Sequence, residues 1–205
     1  MMHLNILSDK QKELLPLLKS FSSDFYLAGG TAIALQLGHR SSIDFDLFTE
    51  KELKTRSIEN KINRLGFKIE GVFVNNADEF TCLVNGVKVS FISFPFAIKA
   101  DEYLEQVIKL PNLLILASMK AYALGRRAKW KDYVDMYFIL RDYFSLEIIT
   151  QETNRIFGGN FNSRTFREQL IWFKDIDYSE GIEFQKKYKV SQAEIEKFLQ
   201  KISKL

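Results

Sequence analysis

Cysteine, histidine and proline are scarce in this 205-residue chain, with one, two and three copies respectively. A single thiol, Cys82, excludes disulfides within the chain and any zinc site built on paired cysteines. With only His3 and His39 present, a histidine-rich metal site is excluded too. No run approaches the roughly 18 consecutive apolar residues that mark a membrane-crossing helix. No basic-then-apolar leader opens the sequence either. The expectation is a cytoplasmic protein with no membrane partner. Charge of one sign is also in short supply, since 29 Lys and Arg against 26 Asp and Glu leave a net +3. That is too little to signal a nucleic-acid partner, although local phosphate-binding patches are compatible with it. What the chain does contain is ordinary for a globular protein: 46% hydrophobic and 27% charged residues, with 18 Phe as core filler. The length suits one domain or two closely packed lobes.

The order of elements points to an α+β protein. Ser8 can cap a first helix running to about Ser22, limited or kinked by Pro16. A short apolar strand, Phe25 to Ala28, enters Gly29-Gly30, and Thr31 to Leu37 fits a short helix. Ile43 to Phe48 reads as a strand, and Thr49 or Glu50 as the start of a polar helix that stops near Gly66. Strands follow near Phe67 to Val74, Glu79 to Val84 and Val87 to Ser93. The last two are joined by Asn85-Gly86, a strong hairpin signal. Beyond Pro95 the strands are expected to stop. Helices are predicted over 112–125, 131–142, about 146–157, 163–173 and 191–204, the last opened by a Ser191-to-Glu194 capping box. A small mixed sheet over residues 1–100 would precede a helical lobe over 101–205, with a cleft between them collecting the functional residues.

Residues 27–48, LAGGTAIALQLGHRSSIDFDLF, concentrate the chemistry. Residues 43–47 alternate strictly, which places Asp44 and Asp46 on one face and Ile43, Phe45 and Leu47 on the other. Like charges at i, i+2 on a strand repel, and a divalent cation with oxygen ligands is the economical remedy. Gly29 and Gly30 let the backbone approach a ligand closely. Thr31, opening a helix, adds N–H groups and a hydroxyl suited to phosphate. Arg40 lies between these features and could bind a phosphate or pair with a carboxylate. His39 reads as structural.

A Gly-Gly turn followed by an Asp-x-Asp strand resembles the signature of the nucleotidyltransferase superfamily that includes DNA polymerase beta. The run from His39 to Phe48 narrows the resemblance to the AbiEii/AbiGii-type toxins of bacterial abortive-infection and toxin–antitoxin systems. A second block, LASMKAYALGRRAKWKDYVDMYFIL from Leu116 to Leu140, resembles that family's later Lys and Lys-Asp-x-x-Asp motifs. The resemblance implies an enzyme that moves a nucleotidyl group from an NTP to an acceptor such as tRNA. It implies Mg²⁺ or Mn²⁺ on Asp44 and Asp46, and an antitoxin as protein partner. It places Lys120, Asp132 and Asp135 at the active site with that acidic pair, and Gly29, Gly30, Thr31 and Lys120 around the nucleotide, where Arg40 could join them.

The residues themselves keep other readings open. Lys120 stands alone as a charge on an otherwise apolar helix, so it must snorkel, pair with an acid or reach a phosphate. Asp132 and Asp135 share a helix face and could neutralise it. Arg126, Arg127, Lys129 and Lys131, with Trp130 among them, form either a solvated surface or an RNA-binding run with a stacking aromatic. Relatives of DNA polymerase beta usually carry a third acid on a later strand. Here Val87 to Phe91 offers only Lys88 and Ser90 on its polar face. Three readings follow: a nucleotidyltransferase toxin, a small-molecule nucleotidyltransferase of the antibiotic-modifying kind, or a nucleotide- or partner-binding module without turnover.

Overall fold

A computed structural model describes residues 2–203. The chain forms two compact units. The first holds the residues up to Gly38 together with Ser42–Asn112, and the second His39–Ser41 together with the residues from Leu113 onward.

In the first unit, α1 (Asp9–Glu13) begins at a capping box in which the Ser8 hydroxyl accepts from the Gln11 N–H and the Gln11 side chain accepts from the Ser8 N–H. It stops at Leu14 because Pro16 occupies the first turn of α2 (Leu15–Phe21), where its missing N–H costs nothing. β1 (Tyr26–Ala28) runs straight into α3 (Gly29–Leu37), which ends at Gly38 in the left-handed region. β2 (Phe45–Thr49), α4 (Thr55–Arg64), β3 (Ile69–Asn75), β4 (Glu79–Val84) and β5 (Val87–Ser93) follow. Among the described residues these strands form one five-stranded sheet in the order β1-β2-β5-β4-β3. β2 and β5 are parallel and the other pairs antiparallel, so the sheet is mixed. Asn85 and Gly86 both take positive φ, 52° and 70°, as a tight two-residue hairpin requires.

Three expectations for this unit need correction. α4 starts at Thr55 rather than at residue 49 or 50, because Thr49 stays in the sheet: it pairs with Ser93, and its carbonyl accepts from the Phe94 N–H. Ile43 does not share the buried face of β2; it precedes the strand and is 71% exposed. Strands also continue beyond Pro95, since β6 (Glu102–Leu104) and β7 (Ile108–Leu110) form a two-stranded antiparallel ribbon. Leu104, Ile108 and Leu110 on that ribbon are buried.

The second unit is helical: α5 (Leu113–Leu124), α6 (Trp130–Asp142), α7 (Leu146–Phe157), α8 (Ser163–Ile171) and α9 (Gln192–Ser203). Ser145 and Asn162 cap α7 and α8 by accepting from the backbone N–H three residues on. The Ser191 hydroxyl accepts in the same way from the Glu194 N–H. α5 is apolar almost all round and is accordingly buried on most of its circumference. Tyr133, Val134, Met136, Phe138 and Ile139 of α6 join Phe166, Leu170 and Leu199 in the core of this unit. The result is the expected α+β class, a small mixed sheet with helices.

Candidate functional site

The parallel pairing of β2 with β5 sets the geometry of the acidic face. Asp46 stands in register with Ser90, and Phe45 with Val89. One residue earlier, where the strand begins, the Asp44 carboxylate forms an ion pair of 3.0 Å with the Lys88 ammonium. Asp46 in turn lies against the start of α3. Gly29 has φ +71°, and a Cβ built there would fall 2.2 Å from the Asp46 Oδ2. Only glycine leaves room for the carboxylate at that point. The N-cap residue Ala28 supplies no side-chain cap to α3. A carboxylate at the positive end of a helix is also electrostatically favourable. The Thr31 hydroxyl faces inward: it donates to the Asp44 carbonyl and shares a 2.8 Å hydrogen bond with the Ser42 hydroxyl. Thr31 is 1% exposed, so in this structure it fixes the chain entering β2.

Among the described residues no three His, Cys, Asp or Glu side chains converge as metal ligands. The donor set available is two carboxylates, Asp46 on β2 and Asp44 immediately before it, so the expectation that both stand on the strand holds for Asp46 alone. Their oxygen chemistry fits a hard divalent cation whose other positions go to water and phosphate oxygens. The ammonium already held by Asp44 shows that this face attracts positive charge.

The second unit contains a buried ion cluster of its own. The Asp135 carboxylate, fully buried, accepts two hydrogen bonds from the Arg40 guanidinium at 2.7 and 3.0 Å and one from His39 Nε2 at 2.8 Å. Lys120 Nζ lies 3.1 Å from Asp135 and 2.6 Å from Asp132. Asp132 also accepts from Arg127 Nε at 3.0 Å. Burial would raise the Asp135 carboxyl, but the charges of Arg40 and Lys120 and the bonds from His39 and Arg40 win, and it titrates well below its ordinary value. Asp132 follows the same pattern, with Lys120 and Arg127 outweighing burial. Burial keeps His39 below its ordinary value despite its bond to Asp135, so the imidazole is neutral at pH 7 and its buried Nδ1 has no hydrogen-bond partner. Two carboxylates thus face three basic side chains, Arg40, Lys120 and Arg127.

Each residue of the basic run has a partner inside the second unit. Arg126 stacks 3.6 Å over Tyr122 and donates to the Asn160 carbonyl, and Arg127 pairs with Asp132. Lys129 and Lys131 both pair with Glu180. Trp130 is buried against Tyr133 and Tyr178, which leaves it no open face to stack a base.

Two features escaped the sequence. The pairing of Lys88 with Asp44 depends on a parallel register between strands some forty residues apart, which no local pattern encodes. The joint grip of Asp135 on Arg40 and His39 joins the tripeptide 39–41 to α6, again a non-local event.

A mixed sheet in which a glycine turn carries a strand carboxylate at a helix start defines a nucleotidyltransferase-type fold. The comparisons with known proteins agree. Residues 17–203 match the family model described as nucleotidyl transferase AbiEii toxin, type IV toxin–antitoxin system, and the chain belongs to that family. It is 32% identical over 179 residues to an uncharacterized protein of Aquifex aeolicus, covering 82% of this chain and 84% of that one. The fold resembles that of the nucleotidyltransferase toxin MenT4 from Mycobacterium tuberculosis, with a TM-score of 0.63 at 15% identity over 95% of this chain and 81% of that one. A candidate nucleotidyltransferase of H. pylori is similar as well, with a TM-score of 0.58 at 13% identity, covering 96% of this chain and 92% of that one.

Proposed function

We propose that this protein transfers a nucleotidyl group from an NTP to an acceptor, an RNA such as tRNA, and acts as the toxin of a toxin–antitoxin pair whose antitoxin is its partner. The observation that carries this reading is the Asp46 carboxylate of β2 seated on Gly29 at the start of α3, with Asp44 two residues earlier, just before the strand begins. Asp44 and Asp46 would hold Mg²⁺ or Mn²⁺. Such an ion, when bound, would supply positive charge against the developing phosphate charge and help align the attacking and leaving oxygens. The backbone N–H groups of Gly29, Gly30 and Thr31 open α3 and suit phosphate oxygens. In the transfer, the acceptor oxygen bonds to the α-phosphorus while the bond to pyrophosphate breaks. The resemblance extends a phosphate-facing role to Lys120, and Arg40, which lies between the glycine turn and the acidic pair in sequence, would share it. The surplus of positive charge in their cluster supports this, and Asp132 and Asp135 would hold those cations in place.

A second reading, a binding module without turnover, is favoured by one observation: Ser90, not an acid, stands beside Asp46. Incubation of the protein with each α-labelled NTP and total cellular RNA separates the two. Label in RNA from the wild type and none from the Asp44→Ala, Asp46→Ala double variant is the expected result. No transfer to RNA or to any small-molecule acceptor under any metal or nucleotide, with nucleotide binding intact, would establish the binding module instead.

A further inference from the structure

The acidic face in the first unit holds the Lys88 ammonium beside Asp44, while Ser90 stands beside Asp46 where the pattern of three acids would have carried its third carboxylate. Lys88 and Ser90 are the two β5 positions on the polar face beside Asp44 and Asp46. A two-metal centre of this kind combines two divalent ions with three carboxylates and nets one positive charge. Two carboxylates, one divalent ion and the Lys88 ammonium reach the same total. We infer that this is a one-metal, one-lysine centre, in which Lys88 replaces the second ion together with its missing carboxylate.

The inference rests on the proposed nucleotidyl-transfer reading and assigns Lys88 two tasks. Without ligand, its ammonium is held 3.0 Å from the Asp44 carboxylate and competes with a divalent ion for that oxygen. The side chain is 38% exposed, so it can leave Asp44 when a polyphosphate arrives and pair with a phosphate oxygen instead. Metal and triphosphate then bind cooperatively, because the triphosphate draws away the internal competitor. Lys88 is a positioning residue for the carboxylate and a contact for the phosphate chain.

The test uses Mn²⁺ and inorganic tripolyphosphate, which carries the phosphates of any NTP without a base. Free Mn²⁺ is read by electron paramagnetic resonance and tripolyphosphate by calorimetry, for wild type, Lys88→Met, Lys88→Arg and Asp46→Asn. Wild type should bind one Mn²⁺ with tripolyphosphate present. Lys88→Met should bind Mn²⁺ alone on the order of tenfold tighter, through loss of a neighbouring positive charge. It should bind tripolyphosphate in Mn²⁺ on the order of tenfold weaker, and Lys88→Arg should restore both values. Two bound Mn²⁺ in the wild type, or a Lys88→Met variant that matches wild type in both titrations, would overturn the role of Lys88. If wild type and Asp46→Asn alike bind no Mn²⁺, the acidic pair is not a metal site and the nucleotidyl-transfer reading fails before Lys88 is reached.

Discussion

At Gly29 a single hydrogen in place of a methyl group decides where a carboxylate can stand. A Cβ there would meet the Asp46 Oδ2 at 2.2 Å, and the backbone φ of +71° is one that L side chains rarely adopt. Gly29→Ala should therefore lose about 1–2 kcal/mol from the left-handed backbone, plus the cost of displacing Asp46. The expected outcome is a melting temperature lowered by at least roughly 2–4 °C, with Mn²⁺ binding weakened in parallel. A variant as stable as wild type, with unchanged Mn²⁺ affinity, would mean that Asp46 has room the geometry denies it. Asp135 is the counterpart in the second unit, since its carboxylate bridges Arg40, His39 and Lys120 with no solvent access. Asp135→Ala strands buried cations and should cost about 3–5 kcal/mol in urea unfolding at pH 7. Asp46→Asn keeps the shape of a part-buried side chain and strands no buried cation cluster, so it should cost far less stability than Asp135→Ala. The contrast separates a residue that holds the fold from one assigned to the proposed metal site.

The helices of the second unit were readable almost to the residue, because α7, α8 and α9 carry both a cap and a period. α5 lacks that period but is long and apolar. The hairpin at Asn85-Gly86 was equally plain, since few dipeptides accept two positive φ values in succession. β6 and β7 were not readable: three residues each show too little alternation to distinguish a strand from a loop. At the site, the acidic pair and the unusual β5 face were visible as residue types, but their pairing was not. The parallel register of β2 and β5 comes from tertiary assembly, and it alone sets Ser90 beside Asp46 and Lys88 beside Asp44. That register supports a prediction about the strand pair. Ser90→Asp adds a carboxylate next to Asp46 and should lower the Mg²⁺ concentration that half-saturates transfer, on the order of tenfold for one added charge at close range. If wild-type activity already saturates at micromolar Mg²⁺ and Ser90→Asp does not change it, the third acid is supplied elsewhere, and Asp132 and Asp135 become the residues to test.

Across the whole chain, stability should fall on acidification in two stages, because the buried ion cluster requires a neutral imidazole and ionised carboxylates. His39 is held below its ordinary value of 6.5, chiefly by burial. The unfolded chain therefore takes up this proton first, and folding stability is lost as pH falls below about 6.5 toward the folded value. One such group gives a slope no steeper than about 1.4 kcal/mol per pH unit. Asp132 and Asp135 are both held below 3.8 by Lys120, Arg127 and Arg40 in spite of burial. Their contribution is full above that value and is lost as pH falls through their folded values. In the same range the other carboxylates protonate, and the 29 Lys and Arg charges repel one another without compensation. Urea midpoints measured from pH 8 to pH 3 should be level above about 7, decline gently from about 6.5, and drop steeply below about 4. His39→Gln keeps a hydrogen-bond donor for Asp135 but cannot titrate, so it should remove the first decline and leave the second. A gentle decline that survives His39→Gln would locate its source in a group outside the cluster.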